Sequence, residues 1–382
     1  MATDSLKQDP AVLAARLGRA AEAAATADLD ALLITPGSDL RYLLGARGES
    51  FERLSALVLP AAGRPGAPVL VLPKLEAPGY ADVPAQELGV EIITWVDGED
   101  PHALVADLLK RGGAPSRLAV ADVMPALHAL PLRGVTGAEQ VLAGPVLREL
   151  RMRKDAAEIE QLRAAGAAID RVHARMAEFL RAGRTEAEVG ADIAAAIVEE
   201  GHAEAEFVIV GSAANGASPH HDVSGRVIEA GDVVVVDIGG PLPSGYNSDS
   251  TRTYAVGEPA QADVAETYAV LQAAQAAAVR AVRPGATAES IDAAAREPIA
   301  AAGFGERFIH RTGHGIGLDV HEEPYIIGGN DLVLEAGMAF SVEPGIYHPG
   351  RWGARIEDIV IVTDDGVLSV NERPRDLVVL PA

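Results

Sequence analysis

The sequence predicts an α/β layer domain over residues 1–150 and an α+β domain over residues 151–382 with an internal pseudo-twofold repeat. Three observations lead there. Short apolar runs alternate with helical stretches up to about Leu150. Beyond it, a long helix, a second helix and a group of strands occur in that order twice. A short motif also recurs: Glu229-Ala-Gly-Asp-Val-Val-Val-Val-Asp237-Ile-Gly239 aligns with Glu335-Ala-Gly-Met-Ala-Phe-Ser-Val-Glu343-Pro-Gly345, 106 residues later. The matching order of elements makes duplication a better explanation than chance.

In the first half, residues 30–35 (DALLIT) read as a buried strand stopped by Pro36-Gly37-Ser38. Residues 55–59, 68–73, 90–95 and 117–123 read as further strands. Helical stretches cover 10–25, 101–111 and 124–130. This half has no phosphate loop and no concentrated polar cluster. In the second half a long helix is expected from Lys154 to about Gly183. Thr185, with Glu188 three residues on, forms a capping box for a helix reaching Gly201. Strands are expected at 206–210, 232–238 and 250–256. Helices at 262–282 and from 286 to about 303 then repeat the pattern, followed by strands at 339–343 and 355–362.

Composition narrows the chemistry. Of 382 residues, 48% are hydrophobic, enough for real cores, and 4% aromatic, so the cores are mainly aliphatic. The formal net charge of −23 argues against binding nucleic acid or an anionic membrane. There is no cysteine, which excludes disulfides, thiol nucleophiles and Cys-ligated metals. Any metal must therefore be held by Asp, Glu and His. The first ten residues lack a signal-peptide core, and no apolar run approaches the ~20 residues of a membrane span. A cytoplasmic enzyme is expected.

An apolar strand should not end in a carboxylate without compensation, because burying an unpaired ionised carboxylate costs several kcal/mol or more. Asp237 and Glu343 both end such strands, and each repeat places a second carboxylate on the next strand, Asp249 and Glu357. One such group is readily explained by a turn or an arginine partner. Four in two symmetric pairs would repel one another and raise their pKa values unless cations joined them. Two divalent ions would cancel their formal charge. Carboxylate-rich ligation with one imidazole suits manganese, cobalt or zinc. The imidazole comes from His310-Arg-Thr-Gly-His314-Gly-Ile-Gly-Leu-Asp-Val-His321, where glycines allow close approach. A dinucleotide loop, an HExxH zinc motif and a G-x-S-x-G elbow all fail to match.

At these residues the chain resembles the creatinase/prolidase/methionine-aminopeptidase family, the pita-bread metallopeptidases. The resemblance rests on Asp237 in VVVVDIGG, Asp249 in YNSDSTRTY, His314 in TGHGIGLDVHE, Glu343 in SVEPGIY and Glu357 in ARIEDIVIV. It covers about 150–382 strongly; ALLITPGSDLRYLLG resembles the creatinase-type N-terminal domain. The resemblance implies that Asp237 chelates one metal, that His314 and Glu343 hold the other, and that Asp249 and Glu357 bridge both. It implies a metal-activated hydroxide as nucleophile. It places His220, in ASPHHDVSG, in the substrate pocket, and His321 against the scissile carbonyl. The expected catalytic residues are His220, His321, Glu343 and Arg355.

Arg355, two residues before Glu357, is expected on the same strand face, orienting that carboxylate or binding substrate. His310 lines the pocket or is a satisfied structural histidine. His102, His173, His221 and His348 are expected at the surface. Thr251 and Thr253 are candidate donors behind the ligands. The expected activity is hydrolysis of the Xaa–Pro imide bond, as a dipeptidase of prolidase type; the alternative is an Xaa-Pro aminopeptidase on longer peptides. A creatinase-like amidinohydrolase and a non-catalytic interaction domain are disfavoured because all five ligands are intact. Methionine aminopeptidases usually lack such an N-terminal domain. The expected cofactors are two divalent ions, manganese first; the expected partners are an Xaa-Pro dipeptide or peptide and a second copy in a homodimer.

Overall fold

The computed structural model describes residues 8–48 and 52–382. It divides into two compact units between Arg151 and Met152.

The first unit runs α1 (Pro10–Thr26), β1 (Ala31–Ile34), α2 (Ser38–Leu44), β2 (Ala56–Pro60), β3 (Val69–Pro73), β4 (Glu91–Trp95), α3 (Pro101–Lys110), β5 (Arg117–Val120), α4 (Ala126–Thr136), β6 (Glu139–Leu142) and α5 (Gly144–Met152). Its six-stranded sheet has the order β4-β3-β2-β1-β5-β6. Neighbours β1–β2 and β2–β3 are antiparallel and the other pairs parallel. Every residue of β1 is buried, as its unbroken apolar run requires. Two helices start the same way: Asp9 and Asp100 each accept a hydrogen bond from the first turn, with proline at the first helical position. The expected strands and helices are present; α2, β6 and α5 are additional.

The second unit carries α6 (Ala156–Ala174), α7 (Met176–Phe179), α8 (Glu186–Glu199), β7 (Phe207–Ser212), β8 (Val233–Pro241), β9 (Asn247–Val256), α9 (Val264–Ala281), α10 (Ala288–Ala301), β10 (Gly313–Gly315), β11 (Glu322–Ile326), β12 (Ala339–Val342), β13 (Gly345–His348), β14 (Trp352–Arg355), β15 (Asp358–Val362), β16 (Val367–Ser369) and β17 (Val378–Leu380). One sheet has the order β17-β9-β8-β7, a second β11-β10-β12-β15-β16, and β13–β14 form a hairpin. Each half has its own apolar core: α6 and α8 pack on β7, β8 and β9, and α9 and α10 pack on β12 and β15.

The internal repeat is visible bond by bond. Gly183 N–H donates to Ile228 O as Gly285 N–H donates to Leu334 O; Gly231 N–H donates to Val256 O as Gly337 N–H donates to Val362 O. The halves are joined by a buried ion pair. Arg252 on β9 donates to the Asp358 carboxylate on β15 at 2.7 Å and to the Glu357 carbonyl at 2.7 Å.

Two expectations need correction. The helix from Lys154 starts at Ala156, where Asp155 and Glu158 form a capping box, and it breaks at Arg175. Lys154 lies outside it and forms a buried ion pair with Glu322. The strand expected over 355–362 is two strands. Arg355 ends β14, which pairs only with β13; Asp358 starts β15, which pairs with β12 and β16. The chain changes sheets at Ile356 and Glu357, and there Glu357 N–H bonds to Thr251 O of β9.

Candidate metal centre

The site forms within the second unit, where its two repeats meet. On β8 and β9, Asp237 pairs with Thr251 and Gly239 with Asp249, so Asp237, Asp249 and Thr251 lie on one face of the ladder. Gly239 opposite Asp249 has to be glycine: a Cβ there would lie 2.3 Å from the Ser248 carbonyl. In the other half Val342 pairs with Asp358, so Glu343 and Glu357 stand just beyond the last rung of β12–β15. His314 is the middle residue of β10. Ligand atoms of Asp249, His314 and Glu357 lie within 4.8 Å of one another, and His314 Nε2 is 3.2 Å from Glu343 Oε1.

The supporting contacts fix each group. His314 Nδ1–H donates to the Gly315 carbonyl at 3.1 Å, which directs Nε2 at the carboxylates. Ser341 Oγ accepts from His314 N–H at 3.0 Å and donates to Glu343 Oε1 at 3.0 Å. Thr251 Oγ1 donates to Glu357 Oε2 at 2.7 Å. Arg355, 2% exposed, donates to Asp237 Oδ2 at 2.5 Å, to Thr251 Oγ1 at 3.1 Å and to the Tyr347 hydroxyl at 2.8 Å. It therefore holds Asp237 and reaches Glu357 only through Thr251, a consequence of the sheet change at Ile356. Thr253 bonds the Arg355 backbone.

The electrostatics are those of carboxylates crowded out of water. Burial, and then the charges of the other carboxylates, push Asp249 and Glu357 well above the usual carboxylate range. Burial would raise Glu343 too, but the His314 hydrogen bond and charge bring it down to about 2. Burial would lower His314, and Glu343 and Asp249 outweigh it and raise it. Asp237 Oδ1 and Glu357 Oε1 are buried and accept no hydrogen bond. Buried anionic oxygens without donors are costly. A donor set of carboxylates and one imidazole, with lone pairs left over, fits divalent cations. Of the five residues expected as ligands, Asp249, His314 and Glu357 converge, Glu343 contacts His314, and Asp237 shares the ladder face of Asp249.

The other histidines separate. His321 is exposed, with its ring centroid 4.1 Å from that of His314. His220 is exposed, and the carbonyl of Pro219 before it accepts from Arg355 at 3.3 Å. His310 Nδ1–H donates to Arg311 O, and its Nε2 accepts from the Tyr347 hydroxyl at 2.9 Å. Tyr347 thus links His310 to Arg355, and burial pushes its hydroxyl up to about 12. Nothing in the motif SVEPGIY singles Tyr347 out. The four histidines expected at the surface are not exposed. His173 is fully buried between the Tyr254 hydroxyl and the Ser250 carbonyl. His348 is buried against Trp352 and Phe304. His221 bonds Glu186, and His102 faces His128. Each found a partner that average histidine exposure does not anticipate.

Known proteins agree with this architecture. Residues 160–364 match metallopeptidase family M24, and residues 16–153 match the creatinase/prolidase N-terminal domain. The chain is 62% identical over 377 residues to a probable dipeptidase PepE of Mycobacterium tuberculosis, covering 99% of each. It is 36% identical over 348 residues to an Xaa-Pro dipeptidase of Lactobacillus helveticus, covering 90% of this chain and 92% of that one. Its fold matches the crystal structure of the dipeptidase PepE of Mycobacterium ulcerans with a TM-score of 0.93 at 60% identity, covering 98% and 100% of the two chains. No helix among the described residues is long and apolar enough to cross a membrane. The chain belongs to metallopeptidase family M24, and it is a hydrolase with a creatinase-type N-terminal domain and a pita-bread catalytic domain.

Proposed function

We propose that this M24 peptidase is a two-metal dipeptidase that cleaves the Xaa–Pro imide bond. The observation that carries the proposal is the group of Asp249, His314 and Glu357, with Glu343 against His314 and Asp237 on the same ladder face as Asp249, and with two buried oxygens that have no donor. In this reading Asp237, Asp249, His314, Glu343 and Glu357 would together hold the two ions. Bound there, the ions would supply an acidified water and polarise the scissile carbonyl. Manganese is the proposed ion, and a homodimer in the cytoplasm the proposed setting.

The protein's own groups have distinct tasks. Arg355 keeps Asp237 oriented and its charge balanced. Ser341 and Thr251 aim Glu343 and Glu357. His321, at the exposed edge beside His314, is the donor to the developing oxyanion. His220 walls the pocket for the proline ring. The relatives named dipeptidase and Xaa-Pro dipeptidase support this choice of substrate.

Proline selectivity has a physical basis. The bond before proline is a tertiary amide with no N–H, and the ring fixes φ near about −65°. A pocket shaped for that ring offers an incoming N–H no acceptor, and an unpaired N–H costs about 1–3 kcal/mol. Values of kcat/KM for Leu-Pro, Leu-Ala and their C-terminally extended forms test the reading. Leu-Pro should exceed Leu-Ala by roughly tenfold or more. Equal rates for proline and alanine would refute proline specificity. Faster cleavage of the extended proline peptide would favour the aminopeptidase.

A further inference from the structure

Glu186 is fully buried and takes no part in the carboxylate cluster. It is the first residue of α8, and its carboxylate is surrounded by donors. Ser212 N–H lies at 2.8 Å, Ser212 Oγ at 2.6 Å, Ser224 Oγ at 2.5 Å, and Asn215 Nδ2 at 3.1 Å from each oxygen. His221 Nε2 lies at 2.9 Å. The helix start adds backbone bonds to the same stretch, from Glu186 N–H to Arg226 O and from Ala187 N–H to Ser224 O. Every one of these partners belongs to the end of β7 or to the connection between β7 and β8. Pro219 and His220 lie between them in sequence.

The opposite side of this connection meets the metal centre. Its 3₁₀ turn, Ala213–Ala217, packs backbone against backbone on β14: a Cβ on Gly353 would lie 2.1 Å from the Gly216 carbonyl. Pro219 O accepts from Arg355, which holds Asp237. The stretch does not adopt this path by local preference alone. Ala213 has φ 47°, a left-handed conformation that costs an L-residue roughly 1–2 kcal/mol. A buried ionised carboxylate is stable only when its lone pairs are met, so the donors of the connection are tied to Glu186 as firmly as Glu186 is to them.

We infer that Glu186 is a positioning residue for the substrate pocket: through Ser212, Asn215, His221 and Ser224 it fixes the connection that presents His220 and the Pro219 carbonyl. This rests on the reading of His220 as the pocket wall. Glutamine is a poor substitute, because its NH₂ would face donors from Asn215, Ser224 or His221.

The test compares Glu186→Gln, Ser224→Ala and His220→Ala with the parent protein, using kcat and KM for Leu-Pro, metal content and melting temperature. The expected result is a KM raised about tenfold or more in Glu186→Gln, with kcat changed less and metal content intact. Ser224→Ala removes one donor and keeps the carboxylate; it should raise KM about threefold to tenfold. If Glu186→Gln does not fold, Ser224→Ala decides alone. Lowered melting temperatures with unchanged KM in both variants would make Glu186 a purely structural anchor and overturn the proposal. That result, together with a raised KM in His220→Ala, would leave the pocket reading intact. An unchanged KM in His220→Ala would overturn the pocket reading and the proposal with it.

Discussion

Replacing Arg355 with methionine should destabilise the chelator-treated protein by about 3–5 kcal/mol, the usual loss when one partner of a buried ion pair is removed. Arg355 is the cation placed directly on Asp237, at 2.5 Å, and both are buried. Without it, Asp237 faces the neighbouring carboxylates with no cation beside it. The bonds from Arg355 to Tyr347, Thr251 and Pro219 are lost as well. At roughly 2–4 °C per kcal/mol for a domain of this size, the melting temperature should fall by about 6–20 °C. Saturating manganese should shrink that fall, because an ion on Asp237 replaces the missing positive charge. Calorimetry of parent and variant, with chelator and with manganese, gives both numbers. An equal fall in the two conditions, or none with chelator, would refute the charge argument and leave Arg355 as packing.

Other outcomes follow from the same cluster. The raised pKa values of Asp249 and Glu357 mean that their contribution to stability is present at low pH and lost as pH rises through those values. This contribution should therefore decline as the pH of chelator-treated protein rises from the ordinary carboxylate range, about pH 4, and a series of melting temperatures against pH reads it. The Asp249→Asn/Glu357→Gln variant should flatten that slope; an unchanged slope would show that other groups cause it. His321→Ala should lower kcat by ~10²–10³-fold at unchanged metal content. Loss of one ion from that variant, by metal analysis, would instead make His321 a ligand. Asp358→Ala should cost about 3–5 kcal/mol by leaving the Arg252 charge buried without its carboxylate partner, as read by urea unfolding. A loss below about 1 kcal/mol would contradict a linking role for this pair.

Local signals made much of the fold legible. The capping box of Thr185 and Glu188 placed the start of α8, since a Thr with Glu three residues on satisfies free N–H groups in a way the sequence records; the equivalent box of Asp155 and Glu158 went unread, and α6 begins after it rather than at Lys154. The recurring Glu-Ala-Gly motif located β8 and β12, the strands that lead to Asp237 and Glu343, because a carboxylate after an apolar run is conspicuous. What stayed hidden depended on long-range pairing. The change of sheet at Ile356 is set by which strands pair on either side of it, β14 with β13 and β15 with β12 and β16, and no pleat pattern announces it. Tyr347 and Glu186 matter through partners far off in sequence, and His173 is buried by Tyr254 and Ser250. Residue type carries no information about such contacts.

The central claim is tested most directly by metal analysis and Leu-Pro hydrolysis on one preparation. Protein reconstituted with manganese should hold two ions per chain, lose activity in step with their removal by chelator and regain it on their return. Full activity in protein holding no metal would contradict the account.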